Sequence, residues 1–339
     1  MRKIHTLAPL LALVAAGGCA NTSGNADVTC SALGSTDLQP SPDWQGSVFT
    51  IVMENKSRKD ILGSKDAPYI NALAAENAVA SGYRDNLVHP SEPNYLEMVA
   101  GENFGVLDDD SPSSHHIDSS SHIADQLELA GMSWKAYEES MGNPCGLASQ
   151  YPYEPKHDPF VFFDDINGWD GHAFQTSQRC NTHVVDYSQL DADLAANTLP
   201  KYVFITPNMI DDMHDGSVAD GDAWLSRELP KILASDAFNQ GGVIFLTWDE
   251  GGGIPQSDDP PMIVISPHAK RGFVSQTPYN ASSYLKTVQT ILGLQTLPCQ
   301  PTSGDGVQTM NDLFDVPVTP SKRPSSGTGG TTAPAPPAQ

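Results

Sequence analysis

Residues Gly242 to Gly253 read GVIFLTWDEGGG. From Gly242 to Thr247 the run is short, uncharged and rich in β-branched and aromatic residues, without polar alternation. That pattern predicts a strand buried on both faces, the habit of a parallel sheet covered by helices. Asp249 and Glu250 follow at once, and three glycines then leave the backbone open. In parallel α/β sheets the working groups lie just beyond the carboxyl ends of the strands, so this placement points to a site.

The same arrangement recurs on either side. Ser47 to Met53 (SVFTIVM) runs into Glu54-Asn55, and Lys201 to Ile205 (KYVFI) runs into Thr206 to Asp215 (TPNMIDDMHD). Met262 to Ile265 reads as a further strand. Helical spacing is predicted over Ala67–Val79, over Pro93–Ala100 with Pro in the first turn, and over about Asp222–Leu233 and Ser282–Leu292. Another helix passes through Ile123, Leu127 and Ala130, with N-cap residues from Asp118 and a stop at Gly131. Apolar strands alternating with helices give an α/β fold, a mostly parallel sheet with helices on both faces.

The chain of 339 residues carries 18 basic and 41 acidic side chains, a net charge of −23. Such a balance disfavours nucleic acid as a partner, because phosphate-backbone binding needs Lys and Arg. Apolar residues make up 39%, enough for a folded core, and 28 glycines with 27 prolines predict long loops.

Residues 1–19 read as a secretory signal: Arg2-Lys3, then an apolar run from Leu7 to Ala16 too short to span a membrane. Its end, Ala16-Gly-Gly-Cys19, fits a lipoprotein cleavage site that would place a lipid anchor on Cys19; the alternative is ordinary cleavage after Ala20. The expectation is therefore an exported protein, anchored in the cell envelope or released. Residues 20–43 read as a polar linker, 44–316 as the folded domain and 317–339 as a disordered Pro/Gly/Ser/Thr tail. Four cysteines then remain for two disulfides, with Cys145–Cys180 and Cys30–Cys299 the favoured pairing. No cysteine spacing suggests zinc.

Glu54, Asn55, Asp249 and Glu250 offer hard oxygen ligands, suited to one divalent ion such as Mg²⁺, Ca²⁺ or Mn²⁺. Ser91, in His89-Pro-Ser-Glu-Pro-Asn-Tyr95, stands where a helix N-terminus favours an anion. In isolation Ser91 reads as an N-cap before it reads as a nucleophile. His214, beside Asp215, has the setting of a general acid held by a carboxylate, or of an exposed loop histidine. His157 is ambiguous. His115, His116 and His122 occupy a Ser/Asp-rich loop that reads as solvated. Lys56, Arg58 and Lys59 form either a phosphate-attracting patch or a solvated turn.

Together these segments resemble a known family. Glu54-Asn-x-Ser57, the His89–Tyr95 stretch, Asn208-x-x-Asp-Asp-Met-His-Asp-Gly-Ser217, Gly221-Asp-Ala-Trp-Leu225 and Trp248-Asp-Glu250 resemble, in order, the bacterial phosphoesterases of the acid phosphatase and phospholipase C type. The resemblance spans about Ser47 to Leu294 and implies an alkaline-phosphatase-like fold. It implies metal ligands at Glu54, Asn55, Asp249 and Glu250, a nucleophile at Ser91 and a phosphate-oxygen donor at Asn94. It adds His89 as a substrate contact, with His214, Asp215 and His157 in the catalytic set. Asn55, where two-metal relatives use Asp, suits one ion.

The activity this resemblance implies is that of an exported metal-assisted phosphomonoesterase, working through a phosphoserine on a small phosphomonoester or phospholipid headgroup. The alternatives are a phospholipase C-type phosphodiesterase and a non-catalytic, cation-binding surface lipoprotein. One departure stands out: Ala281 occupies a position where relatives often carry His; either that His is dispensable or another supplies its role, with His268 a candidate.

Overall fold

The computed structural model describes residues 37–85, 89–252, 259–296 and 306–323. Its strands are β1 Leu38–Gln39, β2 Val48–Met53, β3 Ala78–Ala80, β4 Trp134–Glu138, β5 Val184–Asp186, β6 Tyr202–Thr206, β7 Val243–Trp248, β8 Met262–Ile265, β9 Val274–Ser275 and β10 Ser321–Lys322. Eight of them form one sheet in the order β5-β4-β6-β2-β7-β8-β3-β9. The central strand β2 pairs in parallel with β6 on one side and β7 on the other. β8 pairs antiparallel with both β7 and β3, so it alone runs against the rest of this sheet.

Every residue of β2, β6 and β7 is buried, as their uninterrupted apolar character predicts. Successive side chains point to opposite faces, so each strand feeds two cores. Val48, Val52, Phe204 and Phe245 pack beneath the helices Ser91–Ala100, Ile123–Leu129 and Ala281–Ile291. Phe49, Ile51, Ile205 and Leu246 face the helices Pro68–Glu76, Gln189–Ala196 and Val218–Leu233.

Helix Val218–Leu233 explains the Gly221-Asp-Ala-Trp stretch. A Cβ on Gly221 would lie 2.4 Å from Met213 Cε, so glycine lets the helix press against the Asn208–Ser217 loop. Asp222 accepts from the Tyr69 and Ile70 N–H groups at 3.2 and 2.8 Å and so caps the neighbouring helix. Trp224 Nε1–H donates to Glu139 Oε1 at 2.9 Å. Ser217 and Asp220 form a capping box at the start of this helix. One helix thus braces the Asn208–Ser217 loop and the helix Pro68–Glu76 beside it.

Several expectations need adjustment. The first helix ends at Glu76, and Ala78–Ala80 pairs instead as β3. The next helix starts at Ser91, two residues before Pro93, because a first-turn N–H needs no intrahelical acceptor and Pro is tolerated there. The folded part also reaches beyond 44–316: Leu38–Gln39 pairs with Ser321–Lys322, and Val318 is buried. Cys145 and Cys180 form a disulfide with Cα atoms 5.3 Å apart. Cys19, Cys30 and Cys299, with the leader, lie outside the described residues. Among the described residues no helix is long and apolar enough to cross a membrane.

Candidate active site

Glu54 and Asn55 leave the end of β2, and Asp249 and Glu250 leave the end of β7 beside it. Asn55 adopts a left-handed backbone, φ 53°, which Asn tolerates better than most residues. That turn aims its N–H at Asp249 Oδ1, 3.1 Å away, and its side-chain amide at Glu54 Oε2, also 3.1 Å. Glu54 is fully buried and accepts from Ser91 Oγ–H at 3.0 Å and from Tyr95 OH at 2.7 Å. Ser91 and Tyr95 lie four residues apart on one helix, so one face delivers both hydroxyls to one carboxylate.

Asn94 donates to Glu250 Oε2 at 3.3 Å, and His89 Nδ1 contacts the same oxygen. Beyond β6, Asp212 Oδ1 accepts from the His214 N–H, and His214 Nδ1 sits 2.8 Å from Asp215 Oδ1. The opposite ring nitrogen of His214 is 3.4 Å from Lys156 Nζ. His157 lies between two buried carboxylates, 3.3 Å from both Glu54 Oε1 and Asp212 Oδ2, and stacks on Tyr95 with ring centres 5.3 Å apart. All ten residues expected from the sequence therefore meet around the carboxyl ends of β2, β6 and β7.

The charge balance is uneven. Burial, then Asp249 and Asp212, hold the Glu54 carboxyl far above its usual range. Asp249 is pushed up to about 8 by burial and by Glu250, and Glu250 to about 8 by burial, Asp85 and Asp109. Asp212 rises too, chiefly through burial. Burial, with Lys156 and His214 nearby, keeps His157 well below the ordinary histidine value and therefore neutral. Asp249 Oδ2, Asp212 Oδ2 and His157 Nε2 are buried without a hydrogen-bond partner among the described residues. Unpaired buried carboxylates are costly, and a divalent cation bound among them would offset that cost. The donor set fits one, with Glu54, His157 and His214 also close enough to share an ion.

A model of the Phosphoesterase family matches residues 43–295. The chain belongs to that family. This phosphoesterase, a hydrolase of phosphoric esters, is 32% identical over 249 residues to the phosphatidylinositol-3-phosphatase of Mycobacterium tuberculosis, covering 73% of this chain and 77% of that one. It is 27% identical over 261 residues to an acid phosphatase of Aspergillus fumigatus, covering 74% of this chain but only 55% of the fungal one. Among solved structures, a protein of the alkaline phosphatase superfamily from Vibrio parahaemolyticus aligns with a TM-score of 0.51 at 11% identity, covering 76% of this chain and 69% of that one. The phosphoesterase thus has the mostly parallel α/β architecture of that superfamily.

Sequence reasoning gave Tyr95, Asp212, Lys156 and Asp109 no role in this site, although Tyr95 and Asp212 stand in the stretches it singled out. Lys156 Nζ donates to Asp109 Oδ2 at 3.0 Å; burial would lower its ammonium, but Asp109, with Glu54 and Asp249, turns the net shift upward. Lys56 joins the site, donating to the Met213 carbonyl at 2.6 Å, whereas Arg58 turns to the Tyr83 carbonyl. His268 is a correction. Its ring packs edge-on against Trp44 and faces the Asp43 carbonyl, at the amino end of β2, and cannot serve the site. Ala281 is a buried residue opening the last helix.

Proposed function

We propose that this phosphoesterase is an exported, metal-assisted phosphomonoesterase with Ser91 as nucleophile. The observation that carries the reading is the buried Ser91 hydroxyl, 2% exposed, in the first turn of its helix and hydrogen-bonded to Glu54. Helix N–H groups there favour the phosphoryl oxygens, and Asn94 adds a side-chain donor one turn on.

Glu54, Asn55, Asp249 and Glu250 would hold the ion, with His157 and Asp212 beside them. Bound there, a divalent cation would supply Lewis acidity and offset the charge of the phosphoryl group. Ser91 Oγ forms the new P–O bond as its proton passes to the carboxylates facing it, and the ester P–O bond breaks. His214, oriented by Asp215, gives its proton to the departing alkoxide. Water then attacks the phosphoserine, returning the serine hydroxyl and releasing phosphate. Export rests on the Arg2-Lys3 start and the apolar run to Ala16.

The test follows phosphate release from an aryl phosphomonoester and its matching diester, with and without chelator. Phosphatidylinositol 3-phosphate is included because the mycobacterial relative is named for it. Monoester turnover that chelation removes and Ser91→Ala abolishes supports the proposal. Diester cleavage with little monoester turnover selects the phosphodiesterase reading, and no turnover of either the binding-protein reading.

A further inference from the structure

Charge at the site does not balance with one ion. Glu54, Asp212, Asp249 and Glu250 are all buried there, four negative charges when ionised, and a phosphomonoester adds up to about two more. With one divalent cation a surplus remains that repels such a dianion unless a fixed positive group meets it. Two lysines border these carboxylates. Lys56 is committed to the backbone, its Nζ donating to the Met213 carbonyl at 2.6 Å, just before His214. Lys156 is placed differently.

Lys156 bridges the two ends of the proposed reaction path. Its Nζ donates to Asp109 Oδ2 at 3.0 Å and lies 3.4 Å from His214 Nε2. Asp109 Oδ1 accepts from the Glu92 N–H at 3.0 Å, and Glu92 follows Ser91 in the first turn of the helix. The ammonium therefore stands between the nucleophile's turn and the ring proposed as general acid. In-line displacement sets phosphorus between the entering Ser91 Oγ and an oxygen leaving toward His214. A group spanning those two ends lies beside the equatorial oxygens. The Lys156 side chain is only 18% exposed and extends from the short turn Pro155–His157, whose His157 is buried against Tyr95. It is thus largely ordered before substrate arrives. An ammonium has three N–H donors, and the contacts to Asp109 and, at longer range, His214 use at most two. Its charge also reaches Glu54 and Glu250, opposing the burial-driven rise of both carboxyls.

Resting on the phosphomonoesterase reading, we propose that Lys156 is a catalytic residue that pairs with the second anionic oxygen of a phosphomonoester and so selects monoesters over diesters. In a diester that oxygen carries an alkyl or aryl group, so its charge is gone and the ammonium has no anion to meet. In a monoester the pairing is charge-assisted and bears on the charge spread over the equatorial oxygens in the transition state. Asp109 is the positioning residue: it holds the ammonium and links it to the helix that carries Ser91.

The test compares full-chain wild type, Lys156→Met and Lys156→Arg, each with Mg²⁺, by kcat/KM for an aryl monoester and its matching diester. Lys156→Met should lower the monoester value by about 10²–10³-fold and the diester value by less than about 10-fold, so that the ratio collapses. Lys156→Arg keeps the charge and should recover part of the ratio. A lysine with a merely structural role would lower both values together. An unchanged ratio in Lys156→Met therefore overturns the proposal while leaving the phosphomonoesterase reading intact, and a wild type that prefers the diester overturns both. If wild type turns over neither ester, that reading fails, and inorganic phosphate titrated calorimetrically into wild type and Lys156→Met decides the proposal alone. Binding weakened by about 10-fold or more in the variant supports it, and equal binding or none overturns it.

Discussion

Ser91 Oγ donates to Glu54 Oε2 across 3.0 Å, joining the first turn of a buried helix to the end of the central strand. Both groups sit on rigid elements, so the hydroxyl is held in place; in the proposed function it is the atom that meets the entering phosphoryl group. Geometry of this kind is what pre-organises a nucleophile.

Replacing Ser91 by Ala should lower kcat by at least about 10³-fold while leaving KM within a few-fold. Alanine suits a helical position, so the melting temperature should stay close to wild type. Steady-state kinetics on the aryl monoester, with a thermal melt, check both halves.

Tyr95→Phe removes the 2.7 Å hydrogen bond to Glu54 Oε1 and leaves a buried carboxylate oxygen short of a donor. Stability should fall by about 1–3 kcal/mol. Denaturant unfolding measures the loss. If Glu54 holds the proposed ion, affinity for it should drop as well, since Tyr95 fixes the orientation of that carboxylate.

Chelation should lower the melting temperature of the wild type, because Glu54, Asp249 and Asp212 would face one another without a cation. Restoring Mg²⁺, Ca²⁺ or Mn²⁺ in turn should raise it, the effective ion being the one that also restores turnover. Glu54→Gln should abolish most of the chelator response. A melt unmoved by chelator in wild type would contradict the donor set.

A pH effect on stability is expected from the buried pair Glu138 and Asp158. Burial raises both, Asp158 to about 7 and Glu138 well above its usual range; Asp158 adds to the rise of Glu138, while hydrogen bonds from Phe160, Tyr153 and Val161 hold Asp158 down. The folded state therefore binds more protons than the unfolded chain once pH exceeds the ordinary carboxylate value. Stability supplied by the protonated forms is full at low pH and declines from about pH 4 through pH 7. Melts across that range should show the decline, and Glu138→Gln should reduce it, the remainder coming from Asp158 and the buried carboxyls of the site.

The sheet core was legible where strands are buried on both faces. β2, β6 and β7 are continuous apolar runs, and a charged or polar cluster at each end marked the site. β4 was not, because Trp134-Lys-Ala-Tyr-Glu138 carries Lys135, which is only half-buried and pairs with Asp193. The reversal of β8 had no signal either, since strand direction depends on the connection rather than on the residues of the strand. In the site, Asp211 and Asp212 are adjacent and identical in type. Only the fold buries Asp212 and leaves Asp211 half-exposed. Tyr95 is a core residue, and its hydroxyl finds Glu54 only once the helix is set against β2.

The central claim is that Ser91 becomes phosphorylated during turnover, and peptide mass spectrometry after acid quench measures this directly. Wild-type enzyme mixed with excess monoester should yield one phosphate on the peptide containing Ser91, absent from Ser91→Ala. Active enzyme that shows no phosphate on that peptide at any quench time, or that keeps its turnover in Ser91→Ala, would contradict the account.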